Sequence, residues 1–332
     1  MKDAASAVLI AAVEGLSLTP AEERFFKEES PAGVTLFRRN IPQDRYPDVA
    51  QLNDALQATR PPGDPRLVIA VDQEGGRVSR LPSPFPNLGP ALKIADGKVD
   101  LDSICVLLEY GRAVGVELSR IGINVNFAPV LDILTEPTNH AIGDRTFGTE
   151  SWQITPRAHA FLTGMQGAGV LGCLKHFPGQ GDAKVDTHLG TAEIDVSLQT
   201  LWHREMMPFR EMYLSCPMIM ISHSIFPALC EKEASRSSII IEDWLRGRIG
   251  FQGVVVSDDL NMGALPQDLI DWQEILIECV AAGCDALLVC RHLDRCYAAL
   301  HALRRESAKS PSFRVMLERS AGRVTSMRGK LV

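Results

Sequence analysis

The chain has 332 residues, of which 45 % are hydrophobic, and its formal net charge is -7. A chain of this length and apolar content can bury a large core, as one big α/β domain or as two smaller ones. Acidic and basic residues are interleaved without a basic block, so a surface that binds the phosphate backbone of nucleic acids is not expected.

The N-terminal segment lacks the pattern of a signal peptide. Residues Ala7–Val13 are apolar, but Asp3 removes the cationic start and Glu14 ends the run after about one strand's length. No segment approaches the ~18 apolar residues of a membrane span. The eight cysteines are scattered, and several fall within apolar runs, as reduced core thiols do. We therefore predict a cytoplasmic protein that does not insert into membranes.

Eight short apolar runs recur along the chain, and segments with helical periodicity separate them. Runs that are apolar on both faces are typical of parallel strands covered by helices, and eight alternations favour a closed barrel. A doubly wound open sheet is the weaker alternative, because no GxGxxG motif opens a helix after the first strand. We predict one α/β domain over residues 1–332, a TIM-type (β/α)8 barrel without a second domain. The predicted strands are Val8–Val13, Gly33–Phe37, Leu67–Val71, Ile123–Phe127, Val170–Leu174, Met218–Ile221, Gly253–Val256 and Ala286–Val289.

Helical patterns and long loops fill the spaces between these strands. The predicted helices include Asp102–Ile121, Pro156–Gly169, Ile239–Arg248 and Leu269–Ala282, the last of which is followed by Gly283, a residue suited to ending a helix. Two segments, 128–150 and 178–198, are long for loops of a compact domain, and such loops are usually functional or mobile.

Polar residues cluster at the carboxyl ends of five predicted strands. Because these ends meet at one rim of a barrel, we expect them to share a pocket. The residues concerned are Asp72 to Arg77 after the third strand, Asn126 and Asp132 after the fourth, Lys175 and His176 after the fifth, Ser222 and His223 after the sixth, and Ser257, Asp258 and Asp259 after the seventh.

Three residues, one at a strand end and two in a loop, have chemistry that suits catalysis. Asp258 follows three valines, so its carboxylate is held at the barrel mouth as a nucleophile, base, metal ligand or ion-pair partner. In the loop after the fifth strand, Asp186 and His188 are spaced so that the carboxylate can bond one ring nitrogen and leave the other for proton transfer. Asp72, Arg80 and Arg145 suit a polyhydroxylated ligand, although each alone is more often part of a surface ion pair. Lys175 is rarely structural at the end of a buried strand unless it is paired, so it is a candidate donor to ligand hydroxyls or anionic groups, whereas His176 could equally be a core histidine.

The residues themselves leave three kinds of function open. The first is a metal-free hydrolase with a carboxylate nucleophile and an Asp-polarised histidine. The second is a metallohydrolase in which Asp182, Asp186, His188 and His176 bind a cation. The third is a sugar-binding barrel without catalytic activity.

Residues 172–190, GCLKHFPGQGDAKVDTHLG, resemble the signature of glycoside hydrolase family 3. The closer likeness is to its single-domain β-N-acetylglucosaminidases of peptidoglycan recycling, whose pattern is KHFPGHGD followed by D-S-H. Gln180 stands in place of the second histidine of that pattern, and Thr187 in place of the serine. Further segments resemble family motifs in the same order: Val71–Val78, Gly143–Phe147, Glu233–Ser237 and Gly250–Ala264.

The resemblance implies a TIM-type barrel and a retaining, two-step hydrolysis without cofactor or metal ion. By position, Asp258 matches the nucleophile that forms a glycosyl-enzyme intermediate, His188 the acid/base, and Asp186 its partner. The positions that hold the N-acetylglucosamine ring match Asp72, Arg80, Arg145, Lys175 and His176.

The implied substrate is N-acetylglucosamine linked to 1,6-anhydro-N-acetylmuramic acid, with or without a peptide. We expect a monomer that acts on this small-molecule amino sugar or muropeptide. Two alternatives remain, another family 3 specificity such as that of a β-glucosidase and a catalytically silent sugar-binding barrel.

Overall fold

The computed structural model describes residues 3–184, 190–263, 265–266 and 268–331. Within them, eight parallel strands form one curled sheet in the order β4-β3-β2-β1-β10-β9-β6-β5. A separate antiparallel hairpin consists of β7 and β8. The strands are β1 Leu9–Ala11, β2 Gly33–Leu36, β3 Val68–Val71, β4 Val125–Asn126, β5 Leu174–Phe177, β6 Met218–Ile221, β7 Ile225–Phe226, β8 Cys230–Glu233, β9 Val254–Asp259 and β10 Ala286–Leu288.

The two ends of the eight-stranded sheet, β4 and β5, are joined by single parallel bridges. Val125 pairs with Leu171, and Val130 pairs with Lys175, so the chain around β5 lies against the chain around β4. These bridges close the curled sheet into a barrel, which confirms the predicted TIM-type (β/α)8 fold. The prediction that no second domain exists stays a prediction.

The fifth strand lies further along the chain than its apolar run indicated. The run Val170–Leu174 supplies a bridge to β4, but the strand proper is Leu174–Phe177 and contains Lys175 and His176. These two polar side chains are buried in the strand because other polar groups, described below, pair with them. A prediction from apolar runs alone therefore ended the strand too early.

Helices surround the sheet, and most have recognisable end signals. The helix Leu269–Ala282 has the predicted bounds: Asp268 caps its N-terminus, and Gly283, at φ 113°, ends it in the left-handed conformation. The helix predicted from Pro156 begins earlier, at Ser151, and contains the proline. The α-helices are α1 Ala4–Ala7, α2 Pro20–Glu28, α3 Val49–Ala58, α4 Leu101–Arg120, α5 Ser151–Gly167, α6 Leu198–Thr200, α7 Met207–Met212, α8 Leu269–Ala282, α9 Leu293–Lys309 and α10 Pro311–Arg328.

Shorter or wider helical turns complete the framework. The segments Leu201–Glu205 and Ile239–Ile249 have π-helical hydrogen bonding, and the second of these was predicted as an ordinary helix. Turns of 3₁₀ helix lie at Arg38–Asn40, Tyr46–Asp48, Ala91–Gly97, Gly143–Arg145 and Ala234–Arg236.

The strands bury both of their faces, in alternation along each strand. Leu9, Ile69 and Val255 belong to the apolar cluster beneath the helices, whereas the adjacent Ile10 and Val256 belong to a second cluster inside the barrel. This alternation follows from the two-residue period of a strand, and burial of both faces accounts for the apolar runs in the sequence.

Helix α10 lies against the amino ends of the strands. Arg328 donates hydrogen bonds to the carbonyl oxygens of Pro65 and Arg66, just before β3, while Val324 and Met327 join the cluster inside the barrel. The opposite rim, at the carboxyl ends of the strands, is the one that carries the polar residues. In the part of the chain that the structure describes, no helix is both long and apolar enough to cross a membrane.

Candidate active site

A cavity of about 370 Å³ lies at the carboxyl ends of the barrel strands. Its lining includes every predicted site residue that the structure describes, namely Asp72, Arg80, Arg145, Lys175, His176 and Asp258. Asp186 and His188, the predicted acid/base pair, lie outside the described residues. The sequence therefore predicted which side chains meet at this rim, although their individual roles stay predictions.

Lys175 is the centre of a buried ionic network at the base of the cavity. Its Nζ lies 2.8 Å from Asp72 Oδ1 and 2.6 Å from Glu74 Oε1, and its side chain is 2 % exposed. Burial alone would lower the pKa of Lys175, but the charges of Asp72 and Glu74 outweigh it and raise the pKa. Lys175 is therefore a permanent cation with its donors directed by two carboxylates.

Glu74 connects Lys175 to Arg145, and the sequence analysis did not single it out. Arg145 Nε and Nη2 donate to the two carboxylate oxygens of Glu74 at 2.7 and 2.8 Å, a bidentate pair. Burial acts to raise the pKa of Glu74, but Arg145 and Lys175 hold it far below its ordinary value. The sequence signals for Glu74 were its place among the polar residues after the third strand and within the motif Val71–Val78.

Arg145 also donates from Nη1 to the carbonyl oxygen of Ala141, at 2.8 Å. Its guanidinium is thus largely engaged by protein groups, whereas Arg80 lies 3.5 Å from Asp72 Oδ2 and is more exposed. The structure supports a positioning role for Arg145, through Glu74 and Lys175. Direct contact between Arg145 and a sugar stays a prediction.

His176 is fixed by Asp132, which is fully buried. Asp132 Oδ2 lies 2.6 Å from His176 Nδ1, and the carboxylate also accepts from the backbone N–H groups of His176 and Gln180. An Nδ1–H bond to a carboxylate holds the imidazole in one tautomer and leaves Nε2 as the free ring nitrogen. Because His176 lines the cavity, this arrangement provides an oriented imidazole at its wall.

Asp258 is the carboxylate with the environment that suits a nucleophile. It stands near the end of β9, and its Oδ1 accepts a hydrogen bond of 2.8 Å from the Asp259 N–H. Burial acts to raise the pKa of Asp258, but electrostatic interactions with His176, His223 and Lys175 and the hydrogen bond from the Asp259 N–H lower it overall. Asp258 is therefore ionised at neutral pH, as a carboxylate nucleophile must be.

Asp259, the adjacent carboxylate, is engaged by the protein instead. Its Oδ1 accepts from the backbone N–H groups of Asn261 and Cys290, at 3.0 and 3.3 Å. These bonds tie the turn after β9 to the end of β10. They agree with the structural role that aspartates at strand ends often have.

The loop after β5 is anchored as far as Asp182, shortly before the predicted acid/base pair. Asn139 donates to the carbonyl oxygens of Gln180 and Gly181, both at 2.9 Å, and Thr135 donates to Asp182 at 2.7 Å. A Cβ at Gly181 would lie 1.5 Å from the Ile133 carbonyl oxygen, so only glycine allows this contact. The long segment 128–150 thus holds the base of this loop.

The cation-binding alternative involves Asp182, Asp186, His188 and His176. Among the described residues, no group of three His, Cys, Asp or Glu side chains has an arrangement that could hold a metal ion. Two of the four ligands of that alternative are outside these residues, so it is tested by experiment below.

A second buried carboxylate, Glu205, lies under the same loop. Its Oε1 accepts from Arg204 Nε at 2.5 Å, and its Cβ is 2.9 Å from the position that a Cβ on Gly179 would take. Burial raises the pKa of Glu205 to about 7, although Arg204 opposes the shift. The protonated form is therefore favoured by folding.

We expect Glu205→Gln to change the pH dependence of stability. The stabilisation of the fold by protonated Glu205 is fully present below the pKa of 4.5 that applies to the unfolded chain, and it is lost as the pH rises through about 7. Between pH 5 and pH 8 the variant should therefore gain up to about 3 kcal/mol in free energy of unfolding relative to wild type. Urea unfolding at both pH values measures this gain. Glu211→Gln, at an exposed glutamate, should show none; the same difference in both variants would contradict the assignment.

Comparison with known proteins provides an independent line of argument. The model of the glycosyl hydrolase family 3 N-terminal domain matches residues 11–326. A β-hexosaminidase from Nitrosomonas eutropha is 34 % identical over 319 residues, which are 95 % of this chain and 89 % of that protein.

Solved structures of similar fold include the following two. A family 3 β-N-acetylglucosaminidase from a Paenibacillus species superposes with a TM-score of 0.89 at 33 % identity, over 99 % of this chain and 62 % of that longer chain. NagZ from Neisseria gonorrhoeae, in complex with N-trifluoroacetyl-D-glucosamine, gives a TM-score of 0.79 at 29 % identity, over 96 % of this chain and 98 % of the other.

Proposed function

Because the chain belongs to glycosyl hydrolase family 3, we propose that it is a retaining exo-β-N-acetylglucosaminidase that acts on 1,6-anhydro-muropeptides. The observation that carries the proposal is the ionised Asp258 at the mouth of the barrel, across a cavity that also holds the Lys175 network and the oriented His176. Relatives that are β-hexosaminidases, at 34 % identity, support the amino-sugar substrate.

In the proposed first step, an oxygen of Asp258 attacks the anomeric carbon of the N-acetylglucosamine unit. The bond to the leaving oxygen breaks, and His188, protonated and paired with Asp186, gives that oxygen its proton. The product is a glycosyl ester on Asp258. In the second step, neutral His188 takes a proton from water, the water oxygen attacks the anomeric carbon, and Asp258 leaves as a carboxylate. Two inversions retain the anomeric configuration.

The remaining side chains would bind the terminal sugar. The Lys175 ammonium and the free Nε2 of His176 can bond the sugar hydroxyls, while Asp72 can accept from them, and their fixed partners orient them before the sugar arrives. A cavity of about 370 Å³ is near the lower limit for ligand pockets, which supports removal of single terminal residues. The muropeptide aglycone, the cytoplasmic location and the monomeric state stay predictions from the sequence.

The first test is hydrolysis of 4-nitrophenyl N-acetyl-β-glucosaminide, with the corresponding glucoside alongside. We expect turnover of the N-acetyl substrate alone, undiminished by EDTA. Turnover of the glucoside would favour another family 3 specificity, and binding of N-acetylglucosamine without turnover would favour a silent sugar-binding barrel. Loss of activity in EDTA with rescue by an added cation would restore the metallohydrolase alternative.

The role of His188 is tested by comparing how far His188→Ala slows substrates with poor and with good leaving groups. His188→Ala should slow substrates with a poor leaving group, such as the anhydro-disaccharide, by about 10²–10⁴-fold, the usual contribution of a general acid. A dinitrophenyl glycoside, which leaves without a proton, should be slowed much less in its first step. Equal losses on both substrates would contradict the acid role.

A further inference from the structure

His223 is a buried imidazole at the carboxyl end of β6 that none of the roles above uses. It is 1 % exposed, and its Nδ1 lies 2.8 Å from Ser235 Oγ. Its Nε2 is also buried and has no hydrogen-bond partner among the residues that the structure describes. A buried polar nitrogen without a partner is unfavourable, so its presence calls for a functional explanation.

The sheet brings His223 beside Asp258. Strands β6 and β9 are parallel neighbours, with Ile221 opposite Ser257, so both residues stand just beyond that pair at the same rim. The negative charges of Asp258, Asp259 and Glu233 and the backbone of Asp258 act on the imidazole, and the imidazole in turn lowers the pKa of Asp258. Asp258 and Asp259 line the cavity, whereas His223 is not among the described residues that line it. His223 therefore lies behind the carboxylate rather than against the sugar.

Ser235 determines which ring nitrogen carries the proton. The hairpin of β7 and β8 returns the chain so that Ser235 N donates to the carbonyl oxygen of Ser222, next to His223. Ser235 Oγ can donate to Nδ1, which leaves the proton on Nε2. The opposite tautomer would leave a buried acceptor on Nε2 beside two carboxylates, which is unfavourable. Burial lowers the pKa of His223 more than the nearby charges raise it, so the neutral form is retained at neutral pH.

We propose that His223, held by Ser235, is a positioning residue for Asp258, to whose carboxylate its Nε2–H donates a hydrogen bond during the reaction. One carboxylate oxygen is already held by the Asp259 N–H, and His223 would hold the other as the charge returns to Asp258 in the second step. No proton is transferred. The inference rests on the proposed function, in which Asp258 is the nucleophile.

The test compares His223→Gln, which keeps an N–H donor near the position of Nε2, with His223→Met, which removes the donor at similar volume. Loss of one hydrogen bond to a charged group should lower kcat of His223→Met on the dinitrophenyl N-acetylglucosaminide by about ten- to a hundredfold. His223→Gln should keep kcat within about fivefold of wild type, because its amide N–H replaces the donor to the carboxylate.

The pH profile separates positioning from a merely structural role. Loss of a donor to the ionised carboxylate should raise the pKa of Asp258, so the acid limb of kcat/KM should move to higher pH in His223→Met but not in His223→Gln. Ser235→Ala, which frees the tautomer, should lower kcat in the same direction and keeps the test available if His223→Met does not fold.

Two results would overturn the inference. The first is a pH profile of kcat/KM whose acid limb does not move, with unchanged kcat, in both His223→Met and Ser235→Ala. The second is a raised KM alone, which would indicate direct sugar contact. Absence of turnover by the wild-type enzyme would instead mean that the proposed function itself has failed.

Discussion

Replacement of Asp258 by asparagine is expected to lower kcat/KM on the aryl N-acetylglucosaminide by at least about 10³-fold, or about 4 kcal/mol in activation free energy. Asparagine keeps the size of the side chain but removes the anionic oxygen that would form the glycosyl ester. The fold should be retained, because the side-chain hydrogen bond that Asp258 Oδ1 accepts comes from the adjacent Asp259 N–H, which an amide oxygen can also accept. Steady-state kinetics and thermal unfolding measure both effects.

Asp259→Asn is the matched control for this variant. It removes an equal charge one residue along the strand, but the side chain concerned accepts from Asn261 and Cys290 rather than serving the chemistry. We expect it to keep the fold and most of kcat, because an amide oxygen can accept the same hydrogen bonds. Azide should also rescue Asp258→Ala by attacking the anomeric carbon from the vacated face, which gives the α-glycosyl azide. A β-azide, or activity lost only in Asp259→Asn, would contradict the assignment.

The second large effect is expected at Glu74. Glu74→Gln removes the charge that faces both Lys175 and Arg145, and it leaves two buried cations with one fewer carboxylate. Breaking a buried pair in this way costs about 3–5 kcal/mol of free energy of unfolding. The KM for the sugar should also rise, because Lys175 and Arg145 lose the partner that orients them. Urea unfolding and steady-state kinetics measure the two changes.

The chain contains a control that differs from this pair mainly in burial. Lys27 and Glu23 on α2 are also 2.6 Å apart, as Lys175 and Glu74 are, but their side chains are 56 % and 51 % exposed. Glu23→Gln should therefore cost less than about 0.5 kcal/mol, since exposed pairs on a helix contribute little. Similar costs at the two sites would mean that burial does not determine the strength of the network.

The sequence was sufficient to predict the barrel because each strand is marked by a pattern of neighbouring residues. Each strand buries both faces, so each gives an apolar run, and a parallel barrel collects the carboxyl ends of those runs at one rim. Asp72, Lys175 and Asp258 were assigned to that rim on this basis, and the structure places all three around one cavity.

What the sequence did not predict depends on contacts between distant residues. Asp132 was expected at the rim, but its contact with His176, 44 positions away along the chain, was not predicted. The bidentate pair of Glu74 and Arg145 spans 71 positions. The hairpin of β7 and β8 was not predicted either, because Cys230–Glu233 is largely polar and partly exposed. Such pairings require the fold itself, since no local pattern determines them.

The most direct test of the account is to identify the residue that becomes glycosylated. In a 5-fluoro derivative of N-acetylglucosaminyl fluoride, the fluorine on the ring slows both steps of a retaining glycosidase. The anomeric fluoride is a good leaving group, so the first step stays faster than the second and the ester accumulates. Peptide mapping by tandem mass spectrometry after incubation should find the sugar on Asp258 and no label in Asp258→Asn. A label on any other carboxylate, or turnover of the aryl substrate with no trapped ester, would contradict the proposed mechanism.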